Sequence, residues 1–407
     1  MSVAVLIPYS RGAASPSDIW RGAAGRWQIV FLYSAGDRHP PETLEVLSNF
    51  GETIDLDKVG YDGALERSRD LGVRGVVTFS ERMVRTANAL ARDLGCVANP
   101  PATAVNVTDK SRQRQVLNSA QVSVTRFKPV GPDSVAAAAR AVGLPAVLKP
   151  RTGSASQGVT LVDDVAALVA AVSGGRRDEW LLEELIVGAP RTGEPWLGDY
   201  VSVEMFSVGR RHQLLGVTDK LPLAPGFRET GFVIPSSLPE GMQQELAEVA
   251  ARALDALGIE NGITHTEVKL TAHGPRLIEV NGRLGGSIQR MFTRGSDVNP
   301  VALALEAAMG AEPSPAEASF RVHLATVFVL PPLGAVRARE LATVGELREL
   351  AGVWRIEEHA RPGDPVDIGA GSLSRVQTID VEAASRRELA HRVRVVAERA
   401  VARASFE

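Results

Sequence analysis

Residues 264–286 carry the pattern that most constrains how this chain folds. Their sequence, THTEVKLTAHGPRLIEVNGRLGG, alternates apolar and polar positions on both sides of a turn at residues 272–274. Successive side chains of a strand point to opposite faces, so a hairpin through this turn places Glu267 opposite Glu279 and His265 opposite Asn281. The apolar face is predicted to contain Val268, Leu270, Ile278 and Val280. The polar face is predicted to contain His265, Glu267, Lys269, Glu279 and Asn281.

The polar face of this hairpin is a candidate metal site. Directly opposed residues have Cβ atoms only about 5 Å apart, so two carboxylates placed in this way repel each other unless something compensates. Hard divalent cations prefer carboxylate and amide oxygens, and Mg²⁺ shared with the phosphates of a nucleotide would meet that need (Mn²⁺ could substitute). The predicted metal ligands are Glu267, Glu279 and Asn281. The alternative is a solvated hairpin face on which Lys269 neutralises one carboxylate.

Composition and charge narrow the function classes. The chain has 407 residues, which predicts two to four domains, and its 44% hydrophobic and 23% charged residues are ordinary for a globular protein. A net charge of -3 gives no hint of a nucleic-acid-binding surface. The single cysteine, Cys96, excludes an internal disulfide framework. No stretch approaches the ~20 apolar residues of a membrane span, so a cytoplasmic protein is expected.

The order of strand-like and helix-like segments predicts α/β and α+β domains. Short apolar runs alternate with helix-like segments over residues 1–105, which predicts a small doubly wound α/β domain. A region over residues 106–178 would contain a flexible loop, and a region over 179–312 would contain the hairpin. A C-terminal α+β module is predicted over 313–407.

A second candidate site lies where a predicted strand over residues 146–150 ends. Lys149-Pro150 is followed by a loop of small residues, whose backbone N–H groups could approach phosphate oxygens closely. The loop residues predicted to contact a nucleotide are Ser154, Ser156, Gln157 and Gly158. The alternative is an ordinary turn, because glycine and serine are common in turns and no Walker A sequence occurs near it.

The order of these features resembles the ATP-grasp superfamily over most of residues 1–310, and EVNGRLGG is very similar to that family's E-x-N-x-R motif. The resemblance implies an ATP-grasp fold with an N-terminal Rossmann-like domain, and ATP clamped between two α+β subdomains beneath a lid. It implies that Lys110 and Lys149 contact phosphates and that Arg283 stabilises the transferred phosphoryl group. Mg²⁺ would bind the three ligands named above. The residues implied to hold adenine and ribose are Glu183, Glu184, Leu185, Ile186 and Asp199.

Within that superfamily the chain is most similar to the L-amino-acid ligases and carnosine-synthase-type domains. The segments that carry this likeness include VSVEMF (201–206), TDK (218–220), FRETGFVIPSSLP (227–239) and VHLATVFVLPPLGAV (322–336). Two departures are Phe232, where relatives often carry histidine, and the insertion-like stretch 189–198. The resemblance implies that a small-molecule carboxylate and an amine are joined through an acyl phosphate, with release of ADP and phosphate.

The remaining residues have both a catalytic and a structural interpretation. His265 would orient or deprotonate the amine, or else be a structural histidine. Backbone N–H groups at Gly285, Gly286 and Ser287 would cradle an oxyanion, or the glycines would only turn the chain. The residues predicted to hold substrate are Glu204, Lys220, Glu229 and Ser287.

Other functions use the same nucleotide site. A phosphotransferase would phosphorylate an acceptor and stop, whereas a biotin-carboxylase-like enzyme would need a biotinylated partner. A nucleotide-sensing protein would bind ATP without turnover and would be expected to lack Glu267, Glu279 or Arg283. A homodimer is compatible with the sequence, and neither nucleic acid nor membrane is expected as a partner.

Overall fold

The computed structural model describes residues 3–34, 36, 41–173, 180–311 and 318–407, with the backbone alone for residues 41 and 42. The predicted boundaries at 178/179 and 312/313 fall outside these ranges. Within them, no helix is both long enough and apolar enough to cross a membrane.

The N-terminal domain is built on a parallel sheet of order β3-β2-β1-β4. Its strands are short apolar runs such as AVLIP and QIVFLY, which are buried by helices on their faces, as parallel sheets require. Its elements are β1 (Ala4–Pro8), α1 (Pro16–Ala23), β2 (Gln28–Tyr33), α2 (Pro41–Phe50), β3 (Glu52–Asp55), α3 (Leu56–Asp70), β4 (Val73–Val76), a 3₁₀ turn (Glu81–Met83) and α4 (Val84–Asp93).

A smaller antiparallel sheet of order β5-β8-β6-β7 follows. Helices α7 and α8 cover it, and the apolar cluster between them includes Leu148 and Leu182, both fully buried. The elements of this region are α5 (Pro101–Thr108), α6 (Lys110–Ser119), β5 (Phe127–Val130), α7 (Val135–Val142), β6 (Ala146–Pro150), β7 (Thr160–Val162), α8 (Val165–Val172) and β8 (Trp180–Glu184).

The largest element is an eight-stranded antiparallel sheet of order β13-β12-β9-β10-β11-β14-β17-β16. It combines strands that precede residue 312 with strands that follow residue 317, so the hairpin and the C-terminal module share one sheet. Its first elements are β9 (Tyr200–Val208), β10 (Arg211–Lys220), β11 (Gly231–Ile234), α9 (Glu240–Leu257), β12 (Gly262–Thr271), β13 (Gly274–Asn281), α10 (Ile288–Gly295) and α11 (Pro300–Ala308). The later ones are β14 (His323–Val329), β15 (Ala338–Glu340), α12 (Val344–Arg348), β16 (Val353–Glu358), a 3₁₀ segment (Ile368–Ser374), β17 (Gln377–Ala383), α13 (Arg386–Arg403) and β18 (Ser405–Phe406).

One face of this sheet carries polar and aromatic side chains across all eight strands, and we call it the catalytic face. Directly paired residues of antiparallel strands share a face, and the register pairs Glu279 with Glu267, Glu267 with Ser202, and Ser202 with Thr218. Lys220 lies two residues after Thr218 on β10 and therefore shares its face. From Lys220 the pairs continue through Phe232, Thr326 and Asp380 to Arg355. We call its β12–β13 end the metal edge and its β14–β17–β16 end the C-terminal edge.

Candidate active site

The hairpin has the predicted register over its polar half. Glu267 pairs with Glu279, and His265 pairs with Asn281. A bulge follows Glu267, so Val268 pairs with Leu277. Leu277 is therefore fully buried beside Val268 and Val280, whereas Ile278 is only half-buried. The prediction that Ile278 lies in the core was wrong because one extra residue on the bulged strand shifts the alternation of faces.

Cationic side chains compensate the two opposed carboxylates. Lys110 Nζ lies 3.1 Å from Glu279 Oε1, and His265 Nε2 lies 3.6 Å from Glu267 Oε1. Lys269 neutralises neither of them, because its ammonium lies 2.6 Å from Asp199 Oδ1. The role that the sequence alternative gave to Lys269 is therefore wrong. Repulsion between Glu267 and Glu279 alone does not require a metal.

His265 is buried between two carboxylates. Its Nδ1 lies 2.8 Å from Oε1 of Glu204, whose side chain is fully buried. Burial alone would lower the pKa of His265, but the charges and hydrogen bonds of Glu204 and Glu267 outweigh burial and raise the pKa to about 9. A histidine with this pKa is protonated at neutral pH. The predicted role of His265 in orienting or deprotonating the amine stays a prediction.

The glycine pair after the hairpin packs tightly at its first position. A Cβ at Gly285 would collide with the imidazole of His265, whereas one at Gly286 would meet open space. Ser287 has a φ of 68° and precedes α10. Gly285 therefore has a packing reason to be glycine, and the predicted oxyanion cradle of residues 285–287 stays a prediction.

Arg283 points from the end of β13 toward the N-terminal domain. Its Nε lies 3.1 Å from Oε2 of Glu81, and its Nη2 donates to Oδ1 of Asn281 at 3.2 Å. Burial raises the pKa of Glu81, and Arg283 offsets part of that effect. Glu81 was not predicted from the sequence. The available signal was its position just after β4, since functional groups often follow the carboxyl ends of parallel strands.

A buried ion-pair network lies beneath the metal edge. Glu183 accepts from Arg114 Nε at 2.8 Å and from Lys149 Nζ at 2.8 Å, and all three side chains are at most 8% exposed. Burial would raise the pKa of Glu183, but Arg114 and Lys149 outweigh it and lower the pKa to about 2. Arg114 Nη1 also donates to the carbonyl of Leu277 at 2.9 Å. The network therefore ties α6 and β8 to the hairpin.

Helix α6 supplies several of these contacts from one side. Asp109 caps it by accepting from the backbone N–H groups of Ser111 and Arg112. The buried residues of α6 are Lys110, Gln113, Arg114 and Leu117, which recur at helical spacing. Sequence reasoning found Lys110 and missed Gln113 and Arg114. The signal in the sequence was that Lys110, Gln113 and Arg114 are polar although they recur at the helical spacing that is typical of buried apolar residues.

The predicted hinge residues sit beside this network. Glu184 accepts from Arg126 Nε and from Arg276 Nη2, each at 2.9 Å. Leu185 and Ile186 follow the end of β8 and are half-buried. A Cβ at Gly188 would collide with the carboxylate of Asp199. The segment after β8 therefore lies against Asp199, and its contact with adenine stays a prediction.

The predicted phosphate loop connects the metal edge to the C-terminal module. Lys110 Nζ donates to the carbonyl of Gly153 at 2.6 Å. The backbone N–H of Ser372 donates to the carbonyl of Ala155 at 2.8 Å. A Cβ at Gly371 would collide with that same carbonyl. The described loop, which includes Ser154, Ser156, Gln157 and Gly158, is therefore held from both sides.

Lys220 occupies the middle of the catalytic face. It is fully buried, its Nζ lies 2.9 Å from Glu229 Oε1, and it lies 4.1 Å from the ring centroid of Phe232. The backbone N–H of Glu229 donates to Ser372 Oγ at 2.9 Å. Phe232 therefore meets Lys220 through its ring face, a cation–π contact.

The predicted metal ligands supply hard oxygen donors on one face. Glu267 is 25% exposed and Glu279 18% exposed, so neither carboxylate is fully buried. The described residues contain no cluster of three or more His, Cys, Asp or Glu that could hold a metal ion. Two carboxylates and the Asn281 amide suit a cation that completes its shell with phosphate oxygens. The donor set therefore fits Mg²⁺ held jointly with a nucleotide.

Comparisons with known proteins cover most of the chain. Residues 142–290 match the family described as ATP-grasp domain. The chain is 29% identical over 303 residues to the alanine–anticapsin ligase of Bacillus subtilis (strain 168), which covers 70% of this chain and 61% of that protein. It is 31% identical over 353 residues to carnosine synthase 1 of Gallus gallus, which covers 78% of this chain and 37% of that protein.

A solved structure gives the fold independently of these sequences. The L-amino acid ligase from Bacillus licheniformis superposes with a TM-score of 0.79 at 20% identity, over 100% of this chain and 99% of that chain. At this identity the likeness shows the fold alone. The chain spans less than two thirds of the length of the two curated relatives described above.

Proposed function

We propose that this chain, which matches the ATP-grasp domain over residues 142–290 and has the fold of an L-amino acid ligase, is an ATP-dependent carboxylate–amine ligase of the ATP-grasp superfamily. It would join amino acids or amino-acid-like molecules through an acyl phosphate and release ADP and phosphate. The observation that carries the proposal is the arrangement of Arg283 and Asn281 beside the opposed carboxylates Glu267 and Glu279. The ligases among its relatives support the same reaction class.

The reaction has two steps. A carboxylate oxygen of the first substrate attacks the γ-phosphorus of ATP, the bond to the bridging oxygen breaks, and ADP leaves. The amine of the second substrate, after losing a proton, attacks the acyl carbon, and phosphate leaves. Both steps depend mainly on positioning and on stabilisation of negative charge.

The charged residues of the metal edge are proposed to stabilise the transferred phosphoryl group. Arg283 offers a planar fork of donors suited to phosphoryl oxygens, and its contacts to Asn281 and Glu81 set the plane of that fork. Lys110, which bonds both Glu279 and the Gly153 carbonyl, would bring the phosphate loop to the phosphates. Lys149 would add positive charge from the end of β6.

Mg²⁺ is the implied metal, and its chemistry would be neutralisation of phosphate charge. Glu267, Glu279 and Asn281 would hold it. His265 fixes the side chains around this position, since it bonds Glu204 and packs against Gly285. Closure of the phosphate loop would exclude water, which would otherwise hydrolyse the acyl phosphate.

The test is ADP and phosphate release from Mg-ATP with single and paired L-amino acids, with product masses measured in the same wells. ADP that appears only with particular pairs, together with a product one water lighter than the pair, is the expected result. ADP with a phosphorylated single acceptor would instead make the protein a phosphotransferase.

A further inference from the structure

Arg375 stands apart from the other arginines of the C-terminal edge. Its guanidinium lies 4.7 Å from the ring centroid of Phe328, which belongs to the catalytic face. Neighbouring arginines on this side have carboxylate partners: Arg290 pairs with Asp380, and Arg294 pairs with Glu382. Over the described residues, Arg375 forms no ion pair with a carboxylate. It is therefore a half-buried cation without a carboxylate counterion among the residues that the structure describes.

The guanidinium of Arg375 is nevertheless held in a fixed orientation. Its Nε donates to Thr378 Oγ1 at 3.1 Å, and its Nη1 donates to the Ser372 carbonyl at 3.2 Å. An arginine has five N–H donors, so three remain for a ligand. A planar fork held in this way binds a carboxylate with little further loss of conformational entropy.

The surroundings of Arg375 add positive charge. Burial lowers the pKa of Arg375, and the nearby charge of Arg11, an exposed residue of the N-terminal domain, lowers it further. Arg290 acts in the same direction, whereas Glu357 and Glu229 oppose it. Glu229 is neutralised by Lys220, and Glu357 is neutralised by Arg355 at 2.9 Å. Neither carboxylate forms an ion pair with Arg375, so the charge of Arg375 is not neutralised by Glu229 or Glu357.

Two aromatic rings connect Arg375 to Lys220, one of the residues predicted to hold substrate. Lys220 Nζ lies 4.1 Å from the ring centroid of Phe232, and the ring centroids of Phe232 and Phe328 are 5.2 Å apart. The guanidinium carbon of Arg375 lies 4.7 Å from the ring centroid of Phe328. Ser372 links the same two places, because it bonds both the Glu229 backbone and Arg375. Arg283 follows β13 at one end of the sheet order and Arg375 precedes β17 near the other end, so the carboxylate assigned to Arg375 is a different one from that proposed to receive the phosphoryl group at Arg283.

We propose that Arg375 binds the free carboxylate of the amine-donating substrate. The inference rests on the proposed ligase function and narrows its substrate class. The amine donor would be an amino acid or peptide with a free carboxylate, rather than a simple amine or an amide. The C-terminal edge would thus select the second substrate.

The experiment compares two nucleophiles on the full-length protein with Mg-ATP and a carboxylate substrate. Hydroxylamine traps the acyl phosphate as a hydroxamate and carries no carboxylate. The amino acid found to act as amine donor is compared with its own carboxamide. Wild type should prefer the free acid by about 10- to 100-fold in kcat/KM, the factor expected when a charge-assisted hydrogen-bonded pair is lost.

The variant Arg375→Gln should raise the KM for the free amino acid by about tenfold or more. It should leave the KM for the carboxamide, the KM for ATP and the hydroxamate rate near wild type. Arg375→Lys keeps the charge but lacks the planar fork of donors. Its KM for the free amino acid should lie between those of wild type and Arg375→Gln. Arg294→Gln is the matched control, because Arg294 also stacks on an aromatic ring, that of Trp354, but has a carboxylate partner. It should behave as wild type.

If Arg375→Gln loses kcat/KM equally with the free acid, the carboxamide and hydroxylamine, the assignment is overturned and Arg375 is a structural residue. Equal use of acid and carboxamide by wild type would overturn it as well. If wild type forms no hydroxamate with any carboxylate, the proposed ligase function fails instead, and the inference that rests on it falls with it. The two failures are therefore distinguishable.

Discussion

The two edges of the catalytic face are built by different kinds of contact. At the metal edge, Glu267 and Glu279 are neighbours across one hairpin, and their positions follow from a single turn. At the C-terminal edge, Arg290 reaches Asp380 with two hydrogen bonds of 2.6 and 3.1 Å across 90 residues of sequence. A local pattern determines the first edge, whereas only the completed fold brings the second together.

This difference suggests a division of labour within one sheet. The metal edge carries the residues proposed for phosphoryl transfer, and the C-terminal edge carries the cation proposed for substrate choice. Variants at the metal edge should therefore lose rate with every nucleophile. Variants at the C-terminal edge should change which nucleophile is used.

The largest effect is expected from Glu279→Gln. The change keeps the shape of the side chain but removes the charge proposed to hold Mg²⁺ opposite Glu267. We expect kcat to fall by about 10³-fold, the loss expected when several kcal/mol of charge stabilisation leave the transition state. Glu358→Gln, at an exposed carboxylate on β16, is the control and should keep wild-type rates. A Glu279→Gln enzyme with normal activity would show that the metal edge has been misassigned.

A smaller effect, on stability, is expected from Glu183→Gln. This change leaves Arg114 and Lys149 buried without their carboxylate. The free energy of unfolding should therefore fall by about 3 kcal/mol at neutral pH. The pKa of Glu183 falls from 4.5 to about 2 on folding. Its stabilisation is therefore fully present above pH 4.5 and is lost as the pH falls toward 2.

Urea unfolding between pH 2 and pH 7 measures this effect. Wild type should lose stability over that window more steeply than Glu183→Gln. Glu184→Gln is the matched control, because Glu184 pairs with Arg126 and with Arg276 near the surface and should contribute about 1 kcal/mol or less. If the free energy of unfolding depends on pH in the same way for wild type and Glu183→Gln, the carboxylate of Glu183 does not stabilise the folded protein through Arg114 and Lys149.

The register of the hairpin could be predicted because it depends on a short-range pattern, whereas the ATP-grasp fold was predicted from the resemblance of several motifs, in their order along the chain, to that family. The ATP-grasp fold and the parallel N-terminal sheet are confirmed. The pairing of His265 with Asn281 followed from strand alternation alone. The same alternation failed at Ile278, where a bulge changes the face of the next residue. A bulge depends on packing against neighbouring strands, which the hairpin sequence does not contain.

The charge partners could not be predicted for a related reason. The alternative interpretation of the hairpin has Lys269 neutralise one of the two opposed carboxylates, yet Lys269 bonds Asp199, 70 residues away. Arg114 reaches Glu183 across 69 residues. Long side chains choose among many partners, and only the assembled tertiary structure decides between them. Arg375 was missed because an arginine without a carboxylate partner among the described residues leaves no local pattern.

The smallest effect is expected from Gly371→Ala, which tests whether the C-terminal module also acts on the phosphate loop. Gly371 has a φ of 61°, and an added Cβ would collide with the Ala155 carbonyl. We expect the KM for ATP to rise by about tenfold, because the loop would be displaced from its phosphate-binding position. Steady-state kinetics at varied ATP concentrations measures it.

Gly363→Ala is the matched control for backbone strain. Gly363 also has a positive φ, 96°, but a Cβ there would meet nothing within 4 Å. Both variants should lose some stability, and only Gly371→Ala should weaken ATP use. Similar ATP kinetics in the two variants would mean that the C-terminal module does not position the loop.

The most direct test of the acyl-phosphate ligase is the fate of oxygen from the carboxylate substrate. The carboxylate is labelled with ¹⁸O, supplied with Mg-ATP and the amine partner, and the released phosphate is analysed by mass spectrometry. An acyl-phosphate ligase would place one ¹⁸O atom in the phosphate for each ADP formed, because the carboxylate oxygen leaves with the phosphoryl group. Phosphate without label, or label retained in a phosphorylated acceptor, would contradict it.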